Sequence, residues 1–264
     1  MSPVLKASRD GAVLRLTLND NSTRNSISEA MLSALSLELA KAEDDLSIRI
    51  IIIDAEGVAF SAGHNLKELS SHRTDADQGS QYFTEIFDRC AKVMTAIAQH
   101  RCITIAEVQG LASAAGCQLV ASCDFAYAGS NAHFCTPGVN IGLFCSTPMV
   151  ALSRAIGPRH AREMLLTGDI YDAEYALRVG LVNGVVEADK LHAHVLAFAQ
   201  KIATKSQNAI SIGKPTFDVQ LGLGLGEAYA HCSQIMVENF LQESAREGVG
   251  AVLERRKPIW PSSS

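Results

Sequence analysis

The sequence predicts an α/β fold, a mainly parallel sheet built from a repeated strand–turn–helix unit and followed by a block of helices. Three observations predict it. Ile48–Asp54 (IRIIIID) is a β-branched run, the composition of a strand buried on both faces. Cys102–Val108 (CITIAEV) repeats that composition, and a small-residue turn entering a helix follows each run: Ser61-Ala62-Gly63 after the first, LASAAGCQLVAS after the second. From Asp189 onward the apolar pattern is helical only. The expected organisation is a strand-and-helix core over residues 1–200 and a helical region over 201–264.

Each element has a local reason. Val4–Arg9 and Ala12–Leu18 alternate apolar with polar around Asp10-Gly11, a hairpin signal. Asn19–Asn25 (NDNSTRN) is a polar loop. Ser26 or Ser28 then caps a helix to about Asp45, with Met31, Leu32, Leu35 and Leu39 as its stripe. Ser71–Ser80 is polar and reads as a mobile loop; the helix after it, to about His100, turns Phe83, Phe87, Val93 and Ile97 inward. Asp124–Ala128 and His133–Cys135 read as short strands. Helices follow to Ile156, over Arg159–Leu166 and over Ala173–Val179, then an extended Gly180–Val186. Four helices are expected over about 191–205, 207–220, 226–242 and 244–255, and the tail KPIWPSSS reads as a loose end.

Bulk properties exclude several function classes. The 264 residues carry 23 Lys and Arg against 28 Asp and Glu, a net charge of −5, with no basic run, so a nucleic-acid footprint is missing. No apolar run reaches membrane-spanning length. Seven cysteines, an odd number without CxxC pairs, argue against a disulfide framework and a structural zinc site. No metal ligand set is expected. Reduced thiols and an N-terminus without signal-peptide character point to the cytoplasm, or to the mitochondrial matrix if a targeting peptide has been removed.

The chemistry lies in the two small-residue turns. A turn that opens a helix exposes N–H groups with no intrahelical partner, and small residues let a ligand approach the backbone. Such donors suit a carbonyl oxygen that becomes negative during reaction. VAFSAGHNLKEL (58–69) followed by VQGLASAAGCQLVASCDFAYA (108–128) resembles the two signature loops of the crotonase (enoyl-CoA hydratase/isomerase) superfamily. The likeness continues through NDNSTRNSIS (19–28), RHAREMLLTGDIYDAEYALRVGLVNGVV (159–186) and EGVGAVLERRKPIW (247–260), nearly the whole chain. FCTPGVNIGLFCSTP (134–148) and RRKPIW resemble one subgroup within it.

That resemblance implies a spiral of ββα units with C-terminal helices that form trimers, often paired into hexamers. It implies an acyl-CoA thioester as ligand, with coenzyme A part of the substrate and no separate cofactor. The thioester oxygen would lie between the backbone N–H groups of His64 and Ala115. Ser22, Arg24, Ser26, Ala62, Asn65 and Leu66 would line the adenine and phosphate end. Ala114, Pro137 and Gly138 would border the rest of the ligand path, and a neighbouring subunit's Arg255 would reach the CoA phosphates.

The resemblance also exposes two gaps. Hydratases of the superfamily activate water and deliver a proton with two glutamates, whose positions here match Gln118 and Gly138. An amide positions a water but has no useful proton affinity, and glycine has no side chain. General acid–base groups contribute roughly 10²–10⁴-fold each, so hydration is expected to be feeble. Replacement candidates are the His64 imidazole, a Cys145 thiol with Ser146 beside it, and Glu107, read as held by backbone donors. His133 and Asn140 read as structural. The sequence therefore supports a crotonase-type enzyme acting through an enolate, nominally an enoyl-CoA hydratase. The alternatives are a malonyl-type acyl-CoA decarboxylase, which needs no carbon-directed base, and a non-catalytic acyl-CoA-binding or regulatory protein.

Overall fold

The N-terminal alternation folds as a hairpin: β1 (Leu5–Asp10) pairs antiparallel with β2 (Val13–Leu18), and Gly11 turns between them at φ 57°. This is the computed structural model of the chain, describing residues 3–261. Ser28, the second of the two cap candidates, caps α1 (Glu29–Asp44) by accepting the Met31 N–H at 3.2 Å. The expected stripe of Met31, Leu32, Leu35 and Leu39 is buried.

The isoleucine run becomes β3 (Ile50–Ala55), in which Ile50, Ile51, Ile52 and Ile53 have no exposed surface. A continuous β-branched run suits a parallel strand covered on both faces, and β3 lies parallel to β2 on one side. On its other side it pairs in parallel with β5 (Ile103–Val108), the CITIAEV run. Here the structure adds what the sequence did not show: β3 and β5 are each followed by a three-residue strand. β4 (Ala59–Ser61) follows β3, and β6 (Leu111–Ser113), which the sequence pattern assigns to a helix start, follows β5. The third repeat consists of β7 (Phe125–Gly129) and β8 (His133–Cys135).

Helices fill the repeats: α2 (Leu66–Ser71) and α3 (Ser80–Ala98) after β4, α4 (Ala115–Ser122) after β6, then α5 (Ser146–Ala155) and α6 (Pro158–Thr167) after β8. β9 (Tyr171–Asp172), α7 (Ala173–Val179) and β10 (Gly184–Val186) complete the pattern. One sheet therefore has the order β1-β2-β3-β5-β7-β10 and a second has β4-β6-β8-β9. The first hairpin gives both of its strands to the larger sheet, and each of the next three units gives one strand to each sheet before its helix. That alternation is the predicted spiral.

This region adds detail to one expectation and corrects another. The polar 71–80 stretch holds a short 3-10 turn, with His72 stacked on Tyr82 at 3.6 Å and Asp77 accepting the Gly79 and Gln81 N–H groups. On α3 the buried residues are Ile86, Cys90, Val93, Met94 and Ile97, while Phe83 is half-buried and Phe87 exposed.

The chain divides into two compact units, Met1–Gln200 and Lys201–Ser264. α8 (Leu191–Ala203) runs across that division; its first part lays His194 and Phe198 on Tyr127. The second unit contains α9 (Gln207–Leu221), α10 (Leu225–Phe240) and α11 (Glu243–Leu253). Its tail is less loose than expected. Arg256 forks onto both carboxylate oxygens of Glu247 at 2.6 and 2.9 Å, and the Trp260 indole N–H donates to Thr204 O at 2.8 Å. Ser262–Ser264, the last part of the expected loose end, lie outside the described residues.

Candidate active site

The polar loop before α1 builds the first wall. Arg24 and Asn25 both take left-handed φ, 57° and 54°, a conformation that asparagine tolerates. Asn25 is fully buried and works as a clamp: its Nδ2 donates to Glu56 O at 2.8 Å and Ala59 O at 2.9 Å, and its Oδ1 accepts the Asp20 N–H at 2.8 Å. The loop is thereby fixed to the connection between β3 and β4. Arg24 O accepts the Ala62 N–H at 3.0 Å, and Ile27 donates to Gly63 O at 2.8 Å.

The second wall is the β6–α4 turn. Ala114 sits at φ 49°, ψ −113°, a region normally left to glycine. Its N–H donates to Cys135 O at 2.9 Å and its carbonyl accepts the Gln118 N–H at 2.9 Å, so the turn is held from both sides. α4 then begins at Ala115, which is fully buried.

Glycines bring the two walls together. Gly63, at φ 84°, lies so close to the second turn that a Cβ there would meet Ser113 O at 2.9 Å and Ala115 N at 3.3 Å. A Cβ on Gly116 would meet Ser61 O at 2.5 Å. The backbone N–H groups of His64 and Ala115 thus leave adjacent turns. Among the described residues, neither donates to an intramolecular acceptor.

The side chains around them carry little charge. Burial pushes the His64 imidazole down to about 4, so it is neutral at pH 7. Its ring meets the Phe87 edge at 5.2 Å, and its Nε2 is buried without a hydrogen-bond partner. Phe87, expected in the core, therefore borders the site. Gln118 is 4% exposed and its Oε1 is likewise unpartnered. Gly138 is buried at the start of a 3-10 turn, Pro137–Ile141, against Cys145: a Cβ on it would sit 3.0 Å from both Cys145 Sγ and Leu143 O. Burial pushes the Cys145 thiol up, which keeps it protonated.

The strand–strand–helix repeat of the first unit and these converging turns lead to the family. A model of the family described as "Enoyl-CoA hydratase/isomerase" matches residues 8–263. The chain belongs to the enoyl-CoA hydratase/isomerase family. Among its relatives, a Xenopus laevis protein named "Enoyl-CoA hydratase domain-containing protein 3, mitochondrial" is 44% identical over 262 residues, spanning 99% of this chain and 87% of that protein. The crystal structure of a Mycobacterium smegmatis enoyl-CoA hydratase superposes with a TM-score of 0.92 at 43% identity, covering 98% of this chain and 99% of that one. The crystal structure of human enoyl Coenzyme A hydratase domain-containing protein 3 gives 0.92 at 45%, covering 97% and 100%.

Of the remaining family positions, Ser22 is exposed, its hydroxyl donating to Asp20 Oδ1 at 2.7 Å, and Arg24 is exposed. Ser26 is 3% exposed with an unpartnered Oγ. Ala62 is half-buried, Asn65 caps α2 by accepting the Lys67 N–H at 3.1 Å, and Leu66 is exposed. Arg255 is exposed in the second unit, in left-handed backbone at φ 55°. Asn140 Nδ2 donates to Gly168 O at 3.2 Å, and the exposed His133 contacts Asn131 O through Nδ1 at 3.0 Å. Glu107 departs from its expected setting: Arg15 Nη1, not a backbone donor, holds it at 2.7 Å. Residues that sequence reasoning missed are Asn25, Phe87, Cys135 and Arg15. Only Asn25 left a signal, as an asparagine inside a polar loop.

Proposed function

We propose that this protein binds acyl-CoA thioesters and transforms them through an enolate-type intermediate, with the thioester oxygen between the N–H groups of His64 and Ala115. The observation that carries this reading is the close approach of Gly63 to the Ala115 backbone, where an added Cβ would meet Ala115 N at 3.3 Å; it supports a pair of donors drawn from the two turns. Donors fixed before reaction stabilise charge that develops later, and α4 adds the positive end of its dipole. Ala115→Pro removes one donor. It is expected to lower turnover of a reactive thioester roughly 10²–10³-fold, the cost of one such donor. Unchanged turnover in a folded variant would overturn the reading.

Which reaction follows depends on what surrounds the α-carbon. Gln118, Gly138 and the neutral His64 supply no carboxylate there, so hydration of crotonyl-CoA is expected to be slow. One specific observation favours a second reading, decarboxylation of a malonyl-type thioester. In an uncharged pocket a desolvated carboxylate loses its hydration. Breaking its bond to the α-carbon releases neutral CO₂ and sends the electron pair to the oxygen held by the two donors. Turnover of malonyl-CoA exceeding that of crotonyl-CoA, and abolished in His64→Ala with binding retained, supports this reading. Tight binding without turnover of either thioester supports the non-catalytic one.

The self-association implied by the family fits the apolar side chains exposed on α9 and α10, among them Phe217, Tyr229, Met236 and Phe240. Seven free thiols fit a reducing compartment, the cytoplasm or the mitochondrial matrix. No helix among the described residues is long and apolar enough to cross a membrane.

A further inference from the structure

Outside the two turns, charged side chains gather on the face of the larger sheet beneath the start of α8. Asp54 and Glu107 follow the paired Ile53 and Ala106 in β3 and β5, which brings the two carboxylates together. Arg15 of β2 divides itself between them: Nη1 donates to Asp54 Oδ2 at 2.5 Å and to Glu107 Oε2 at 2.7 Å. Each carboxylate therefore has one oxygen committed to the guanidinium and one turned away from it. Glu107 Oε1 faces His192 Nδ1 at 3.4 Å. Asp54 Oδ1 is buried with no hydrogen-bond partner, in a residue only 9% exposed. One ligand atom from each of Asp54, Glu107 and His192 lies within 4.8 Å of the others.

Two features go beyond an ordinary ion-pair network. Two carboxylates against one guanidinium leave one negative charge uncompensated in a largely buried place, which is costly. The orphaned Asp54 oxygen is independent of that charge count: Arg15 Nη2 is itself unpartnered and is not turned onto it, and a buried acceptor without a donor calls for one more partner. A cation answers both. We propose that Asp54, Glu107 and His192 bind a divalent metal ion of the zinc class. Arg15 holds the distal carboxylate oxygens, as outer partners of metal sites do. One imidazole nitrogen and two carboxylate oxygens suit Zn²⁺ better than the all-oxygen cages preferred by Mg²⁺. Three protein ligands leave a fourth position for water. The ion would tie α8 to β3 and β5, and His192, whose side chain is 63% exposed, gives it access from solvent.

The test uses the full chain stripped with EDTA and titrated calorimetrically with Zn²⁺, with Mg²⁺ in parallel. His192→Ala is the principal variant because an exposed side chain is dispensable for folding; Asp54→Asn is the second. The expected result is one Zn²⁺ per chain, with unfolding raised by roughly 5 °C at saturating metal. His192→Ala should bind at least tenfold more weakly while its metal-free unfolding temperature is unchanged, and Mg²⁺ should bind far more weakly than Zn²⁺. No Zn²⁺ binding by the wild type overturns the proposal. So does binding of equal stoichiometry and affinity in both variants, which would place the ion elsewhere. None of these outcomes bears on the thioester reading.

Discussion

His64 contributes twice: its N–H leaves the first turn, and its imidazole is a half-buried neutral ring. With a folded value of about 4 against 6.5 in an unfolded chain, the unfolded state takes up the proton first as pH falls. The stability tied to neutral His64 is therefore full above pH 6.5 and is lost progressively down to about pH 4. Each pH unit between those two values corresponds to about 1.4 kcal/mol. Wild type should accordingly lose roughly 2–3 kcal/mol more than His64→Gln between pH 7 and pH 4.5, read by urea unfolding at both. Ala114 is the second residue of interest. A non-glycine residue in its conformation stores about 1–3 kcal/mol of strain. Ala114→Gly should raise the unfolding free energy by up to about 1 kcal/mol once the added entropy of an unfolded glycine is subtracted. A loss of stability would show that the methyl group packs better than its backbone suffers.

At the scale of elements, what could be read in the sequence depended on how much a segment decides for itself. β3 is legible because four consecutive isoleucines admit one environment, a strand covered on both faces. α1 is legible through its cap and stripe, and Ser28→Ala should cost about 1 kcal/mol in chemical denaturation. β4 and β6 were not legible. Three residues such as Leu111-Ala112-Ser113 carry no period, and they become strands only because β8 lies parallel to β6 with Phe134 opposite Ala112. The converging turns were legible as motifs, but their contact was not. Gly63 reads as a flexible residue until Ala115 is found against it. The Asp54–Glu107–His192 cluster was invisible for the same reason, since its ligands come from β3, β5 and α8 and no local spacing links them.

At the scale of the whole molecule, the exposed apolar side chains of the second unit set an expectation about mass. Phe217, Tyr229, Met236 and Phe240 are each more than 60% exposed in the single chain. Aromatic and methionine side chains at that exposure suit the self-association proposed above. Sedimentation should therefore return three or six times the 28.2 kDa of one chain. Phe240→Glu should shift that mass toward the single chain. A monomer in the wild type would contradict the trimer implied by the family.

The packing of Gly138 against Cys145 and Leu143 constrains history as well as chemistry. A side chain returning to position 138 meets a sulfur and a carbonyl at 3.0 Å, and overpacking of this kind costs roughly 1–3 kcal/mol. Gly138→Ala alone should be destabilising, and the same change after Cys145→Ala should cost only somewhat less, because Leu143 O and the Cys145 backbone N stay at 3.0 and 3.2 Å, a coupling that a double-mutant cycle reads directly. A side chain at 138 has to clear the Leu143 carbonyl as well as the thiol, so no single substitution at 138 or at 145 makes room for a carboxylate there. The site is held in its present form by one thiol and by the backbone on either side of it.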